Sequence, residues 1–258
     1  MPRLLVRRPS PLLADGELTH LDRVPVDPDL ALAQWRGYVE VFRQRGWEIV
    51  EVAPADEQPD GVFVEDAVVM FGDLAVLCRA GAASRRGEAA SVRERVVTSG
   101  IELKEVVEPG TLDGGDVLKV GRTVYVGASA RTNTAGIAQL RALVEPRGWE
   151  VREIPVTKVL HLKSGVTALP DATVVGFEPL VDDPTLFPVF AGVPEEHGTA
   201  VVVLDESTVL MSSDAPETAD AHRARGLAVI TVDVSEFEKL EGCVTCLSVR
   251  VRDAGAPA

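Results

Sequence analysis

Cysteine, basic charge and long apolar runs are all scarce in this chain, and each shortage excludes something. Three cysteines in 258 residues cannot form a disulfide scaffold, and with 46% hydrophobic residues the composition is that of a soluble globular protein whose thiols stay reduced. Lys and Arg number 26 against 40 Asp and Glu, a formal charge of −14, which leaves no basic stripe to follow a phosphate backbone and argues against nucleic acid as a partner. Nowhere do the ~18 continuous apolar residues of a membrane span occur. Arg3, Arg7 and Arg8 break the first apolar stretch before a signal-peptide core forms, so a cytoplasmic location without membrane attachment is expected. Linkers and low-complexity segments are missing too, and residues 1–258 read as one domain in which only 255–258 should fray. The acidic excess itself suits a cationic small-molecule substrate, because an acidic cleft concentrates the opposite charge.

What the chain does contain is a repeat. Arg45-Gly46-Trp47-Glu48-Ile49-Val50-Glu51-Val52 matches Arg147-Gly148-Trp149-Glu150-Val151-Arg152-Glu153-Ile154, and weaker copies begin at Ser99-Gly100-Ile101 and Arg225-Gly226-Leu227. In each copy a glycine at the C′ position, where positive φ is free of Cβ strain, passes the chain from a helix to a short strand. Helical spacing upstream agrees, with Leu32, Trp35, Val39 and Phe42 after Asp27-Pro28, then Ala89, Val92 and Val96, then Ile137, Leu140 and Val144. Asp214 with Pro216 and Glu217 opens the last helix like a capping box. Pairs of β-branched runs flank turns at Phe71-Gly72-Asp73, Gly121-Arg122, Pro170-Asp171 and Asp205-Glu206-Ser207.

These hairpins, with unpaired terminal strands at 3–8 and 244–252, make five ββαβ modules of about 50 residues. The predicted fold is therefore α/β, a five-bladed pseudo-symmetric propeller closed by pairing of the N- and C-terminal strands. The stretch 177–197 fits worst. Its Pro179, Pro184, Pro188 and Pro194 predict a short or irregular helix in the fourth module.

Chemically capable residues gather where each module's hairpin begins: Asp60, Glu65 and Asp66, then Asp113 and Asp116, then His161, and Cys246 on the closing strand. Arranged around an axis, equivalent positions converge on one central pocket. A thiol, an imidazole and a carboxylate to orient the ring suffice for nucleophilic catalysis. Each residue alone has a plainer reading: Cys246 as a small buried hydrophobe, His161 as a core histidine, Asp113 as a turn aspartate before Gly114. Convergence favours the catalytic one. Cys243-Val244-Thr245-Cys246 also spells Cys-x-x-Cys, but the β-branched run Thr245–Val251 reads as a strand, on which residues three apart face opposite sides. No second close pair completes a zinc site, so Cys243 is expected to be a packing residue and no metal is expected. Arg85 and Arg131 hold matching positions at helix starts, where a guanidinium fork and free amides suit a carboxylate. An ion pair of Arg85 with Glu65 or another acid is the alternative.

Six segments together resemble the dimethylarginine dimethylaminohydrolases of the guanidine-modifying pentein superfamily. They are Pro59-Asp60-Gly61-Val62-Phe63-Val64-Glu65-Asp66, Gly81-Ala82-Ala83-Ser84-Arg85-Arg86, Leu112-Asp113-Gly114-Gly115-Asp116-Val117, Ser129-Ala130-Arg131-Thr132-Asn133, Leu160-His161-Leu162-Lys163-Ser164 and Val244-Thr245-Cys246-Leu247-Ser248. They occur in order along the whole chain. The resemblance implies a five-bladed α/β propeller that hydrolyses asymmetric dimethylarginine or monomethylarginine to citrulline and a methylated amine through a covalent cysteine intermediate, without metal or organic cofactor. By that similarity Cys246 is the nucleophile, His161 the general acid and base, and Asp113 its orienting partner. Asp66 with Glu65 would hold the guanidinium, Asp60 the α-amino group, and Arg85 and Arg131 the carboxylate. The loop Asp15-Gly16-Glu17-Leu18-Thr19-His20 resembles the family's mobile loop, with the Leu18 carbonyl over the α-amino group and the Leu240 carbonyl beside it. Glu241 departs from the family's aspartate near the guanidine pocket, and its extra methylene is expected to change the space for N-methyl groups. A monomer or homodimer is expected. Two alternatives remain: an arginine deiminase, although those resemble a longer chain with Arg-Asp in place of Glu65-Asp66, and a methylarginine-binding protein without turnover. Agmatine deiminase would have no use for Arg85 and Arg131.

Overall fold

Five three-stranded sheets make up the β structure of residues 1–252, the residues that this computed structural model describes. All five follow one plan, an antiparallel pair and a crossover to a third strand that joins in parallel. β1 (Arg3–Val6) leads through α1 (Pro28–Gln44) to β2 (Glu48–Glu51), parallel to it. β3 (Val68–Phe71) and β4 (Leu74–Leu77) form a hairpin, and α2 (Ala89–Thr98) returns the chain to β5 (Glu102–Glu105). β6 (Val117–Val120), β7 (Thr123–Ala128), α3 (Thr134–Val144) and β8 (Glu150–Pro155) repeat the pattern. A single helical turn, α4 (Leu162–Gly165), precedes β9 (Thr167–Ala168), β10 (Val174–Gly176) and β11 (Phe190–Gly192). β12 (Val201–Val203), β13 (Thr208–Ser212), α5 (Pro216–Ala224) and β14 (Ala228–Val232) follow. The short α6 (Ser235–Glu238) leads towards β15 (Val249–Val251), which runs antiparallel to β1 with Arg3 opposite Val251 and Leu5 opposite Val249. The chain ends thus complete one blade, and the architecture is the predicted five-bladed α/β propeller.

Local chemistry explains the elements. The Asp27 carboxylate accepts the Asp29 and Leu30 amides and Pro28 sits at the first turn, so α1 starts where its apolar stripe begins. That stripe, Trp35, Tyr38, Val39 and Phe42, packs with Val202, Leu210 and Phe237 of the neighbouring blade. Gly46, Gly100, Gly148 and Gly226 end the helices with φ of 77°, 70°, 82° and 91°, as the repeat requires.

In the fourth blade the proline-rich crossover is short and irregular, as its prolines predict: two 3₁₀ turns, Glu178–Leu180 and Pro184–Leu186. Two expectations change. Helix α5 lacks the capping box: Asp214 pairs with His197, and Glu195, from another loop, accepts the Thr218 amide. The closing strand is also shorter than predicted. Residues 244–247 form a turn because Cys246 N donates to Cys243 O and the Arg250 guanidinium satisfies the Thr245 and Ser248 carbonyls in place of a ladder. The 255–258 tail lies outside the described residues. Among those described, no helix is long and apolar enough to cross a membrane.

Two glycines in helices should respond to alanine in opposite directions. Gly37 of α1 has nothing within 4 Å of a built Cβ, whereas a Cβ at Gly136 of α3 would lie 2.0 Å from the Thr111 carbonyl oxygen. Gly37→Ala is expected to stabilise by up to about 1 kcal/mol through helix propensity, and Gly136→Ala to destabilise by about 1–3 kcal/mol through overpacking. Urea unfolding of the two variants measures both.

Candidate active site

Every hairpin, including the closing one, starts from a single turn: Val64–Asp66, Gly114–Asp116, Leu162–Gly165, Glu196–Thr199 and residues 244–247. A strand cannot place three side chains on one spot, but a turn at its foot can. Glycine makes the close approach possible. A Cβ at Gly114 would lie 2.0 Å from the Glu65 carbonyl oxygen, and one at Gly115 would lie 2.5 Å from His161 Nδ1 and 2.8 Å from Asp66 Oδ1.

His161 is 2% exposed and its ring is held from both sides. Nε2 lies 3.1 Å from Asp113 Oδ2, and Nδ1 lies 3.8 Å from Asp66 Oδ1. Asp113 is itself fixed by the Gly81 amide, which donates to Oδ1 at 2.9 Å. Burial disfavours the imidazolium, yet the charges of Asp66, Asp113 and Asp116 outweigh it and raise the pKa to about 9. Asp66 accepts from Gly115 N and from Arg85 Nη1, each at 3.0 Å. Burial pushes its carboxyl up, but the His161 and Arg85 charges bring it below the usual range. Ligand atoms of Asp66, Asp113 and His161 lie within 4.8 Å of one another, a spacing a metal ion would accept.

Cys246 sits in the turn rather than on the strand, 7% exposed, with its carbonyl accepting the Glu65 amide at 3.3 Å. Cys243 packs, partly buried, on the core as expected, but the turn overturns the expectation that it faces away from Cys246. Its sulfur does not face away but lies 3.4 Å from that of Cys246. The sulfur–sulfur hydrogen bond lowers the first ionisation of the pair and raises the second, and Cys246 is held up further by burial and by the Glu65 and Asp66 charges. Glu65 receives Lys163 Nζ at 2.6 Å and Arg250 Nη2 at 2.9 Å, both on Oε1, while its buried Oε2 has no partner.

The other end of the site is built around loop 15–20. Asp60 accepts the Glu17 amide at 3.0 Å, and Arg131 Nη2 lies 3.2 Å from Glu17 Oε2 and 3.2 Å from Thr19 Oγ1. Arg131 Nη1 is buried without a partner. Burial raises the Asp60 carboxyl, and Arg85 only partly offsets it. Arg85 is an ion-pair residue here: Nε and Nη2 chelate Glu88 and Nη1 holds Asp66, which uses three of a guanidinium's five N–H groups. Leu18 packs, partly buried, on the core that contains Leu240 and Cys246. Glu241 has φ 59°, and its carboxylate accepts the Thr19, His20 and Leu21 amides, which ties down the loop.

A family model described as N,N dimethylarginine dimethylhydrolase, eukaryotic, matches residues 25–166. The chain is 58% identical to an N(G),N(G)-dimethylarginine dimethylaminohydrolase of Streptomyces coelicolor over 97% of both chains. The chain belongs to the dimethylarginine dimethylaminohydrolase family. Solved structures of the family agree with the fold. A dimethylarginine dimethylaminohydrolase adduct with S-methyl-L-thiocitrulline superposes with a TM-score of 0.88 at 32% identity, covering 97% of this chain and 100% of the other. The Pseudomonas aeruginosa protein in complex with citrulline gives 0.88 and 32%, covering 96% and 98%.

Sequence reasoning missed the residues that hold the candidate site residues in place: Glu88 orients Arg85, and Lys163 and Arg250 hold Glu65. Asp116, which the sequence placed in the cluster without a role, is fully buried and accepts Ser129 Oγ, Thr132 Oγ1 and the Leu162 amide, joining the Arg131 segment to the turn behind His161. Charge balance was the available signal, since two adjacent buried acids demand cations.

Because Asp66 is the first of the charges that raise His161, Asp66→Asn should move the ring's titration down from about 9 towards the unperturbed value. The ring is charged below its pKa and neutral above it, so at pH 8 His161 should be mostly protonated in wild type and less so in the variant. NMR of ring-labelled histidine reads the shift without needing turnover.

Proposed function

We propose that the protein hydrolyses Nω-methylated arginine, asymmetric dimethylarginine or monomethylarginine, to citrulline and dimethylamine or methylamine, with Cys246, His161 and Asp113 as catalytic residues. The observation that carries the recognition of a free amino acid is Glu17. This one residue offers a backbone N–H to Asp60 and a carboxylate to Arg131, the same pairing a free amino acid's ammonium and carboxylate would make. The unpartnered Arg131 Nη1 and the two remaining N–H groups of Arg85 give that carboxylate further donors. The Leu18 and Leu240 carbonyls complete the ammonium site.

A guanidinium carbon is a poor electrophile because three nitrogens share its charge. The site must therefore hold the plane fixed, the role of Asp66 and Glu65, and present sulfur to its face. The acidic surroundings oppose a thiolate on Cys246; the substrate cation offsets them, so ionisation is favoured when substrate is bound. Attack gives a tetrahedral adduct. His161, charged at neutral pH, protonates the departing amine and leaves a thiouronium on Cys246, and the neutral ring then takes a proton from the water that releases citrulline. Asp113 keeps the ring aligned in both steps.

Cys246→Ser should abolish citrulline formation. Arg131→Ala should lower kcat/KM for dimethylarginine about ten- to a hundredfold, the worth of a desolvated charge-assisted hydrogen bond, yet cost little for a decarboxylated analogue; equal losses would make Arg131 structural. Glu17→Ala removes the competing carboxylate and should lower KM by up to about fivefold, the scale of a partly exposed ion pair. Dialysis against a chelator should leave turnover unchanged, and restoration of a chelated sample by zinc would overturn the metal-free scheme.

A further inference from the structure

We propose that Cys243 and Cys246 form a redox modification site, at which a hydroperoxide converts the two thiols to a disulfide. The sulfurs are 3.4 Å apart, and Cys246 N donates to Cys243 O at 3.1 Å. That bond closes a four-residue turn, whose end Cα atoms lie within about 7 Å, overlapping the range that disulfides span. A bond of about 2.05 Å then requires the sulfurs to approach by about 1.4 Å, which side-chain rotation supplies without moving a strand. Burial sets the order of events. Among the cysteines Cys78 and Cys246 are buried and Cys243 is only partly buried, with Thr245 Oγ1 3.3 Å from its sulfur. Shared hydrogen bonding also eases the first ionisation of the pair.

The Cys243 thiolate attacks the peroxide, the O–O bond breaks, and an alcohol or water leaves, giving a sulfenic acid. Cys246 sulfur then attacks Cys243 sulfur; the S–O bond breaks, hydroxide departs, and it takes the Cys246 proton to become water. Overall two thiols lose two electrons and two protons to one hydroperoxide. The effect on activity rests on the reading of Cys246 as nucleophile, since a sulfur held in a disulfide cannot attack a guanidinium; formation of the disulfide does not.

The test treats the purified full-length protein with hydrogen peroxide in thiol-free buffer and then with dithiothreitol. Wild type should become lighter by about 2 Da, yield a peptide in which Cys243 and Cys246 are linked, lose activity at least about tenfold, and regain it on reduction. Cys243→Ser, which turns over before treatment, should show no such mass and should lose activity irreversibly as Cys246 climbs to the sulfinic acid, heavier by about 32 Da. Absence of the linked peptide from oxidised wild type, or reversible loss in Cys243→Ser that matches wild type, overturns the proposal. A linked peptide with activity intact would leave the disulfide standing and overturn the nucleophilic role of Cys246.

Discussion

A carboxylate buried away from water must be satisfied by its neighbours, and Asp66 is the one on which the candidate site depends. Its two oxygens reach Arg85, Gly115 and the edge of the His161 ring, and so tie together three separate blades. Removing an ion from water costs several kcal/mol even after relaxation, so each partner is needed for the others to stay charged. The same arrangement keeps His161 protonated at neutral pH and keeps Arg85 in place. It is a proton store and a scaffold at once.

Pseudo-symmetry makes this economical. Five blades each present a turn at the same place, and the chain has differentiated them into an acid pair, an aspartate, a histidine, a plain structural turn and a cysteine pair. In the Glu196–Thr199 turn His197 bonds Asp214 and contributes nothing to the central cluster, which shows that the repeat supplies a position and not a function. Function comes from which residue stands there and from what satisfies it.

Loop 15–20 is held by carboxylates at both of its ends. Glu17 rests on Asp60 and Arg131, and Glu241, with its left-handed backbone, receives three successive amides of the loop. The loop is thus anchored at one end to Glu241 and at the other to Asp60 and Arg131. On the proposed function, an arriving amino acid would compete at the second anchor and leave the first in place.

The sequence by itself determined the module, the number of blades and their closure, because glycine punctuation and apolar periodicity are local properties that survive without knowing any contact. It also pointed to the turns that carry Glu65, Asp66, Asp113, His161 and Cys246, since equivalent positions in a ring must converge. Tertiary structure decided what pattern cannot encode. Whether Thr245–Val251 begins as strand or turn hinged on Arg250 reaching the Thr245 carbonyl, a contact of one side chain with a nearby backbone that β-propensity ignores. That choice alone moved Cys243 to the side of the nucleophile candidate. Likewise Lys163 and Arg250 are ordinary charges in the sequence; only folding brings them to Glu65, a buried acid in need of partners, because burial, and with it the cost of an unpaired charge, exists only in three dimensions.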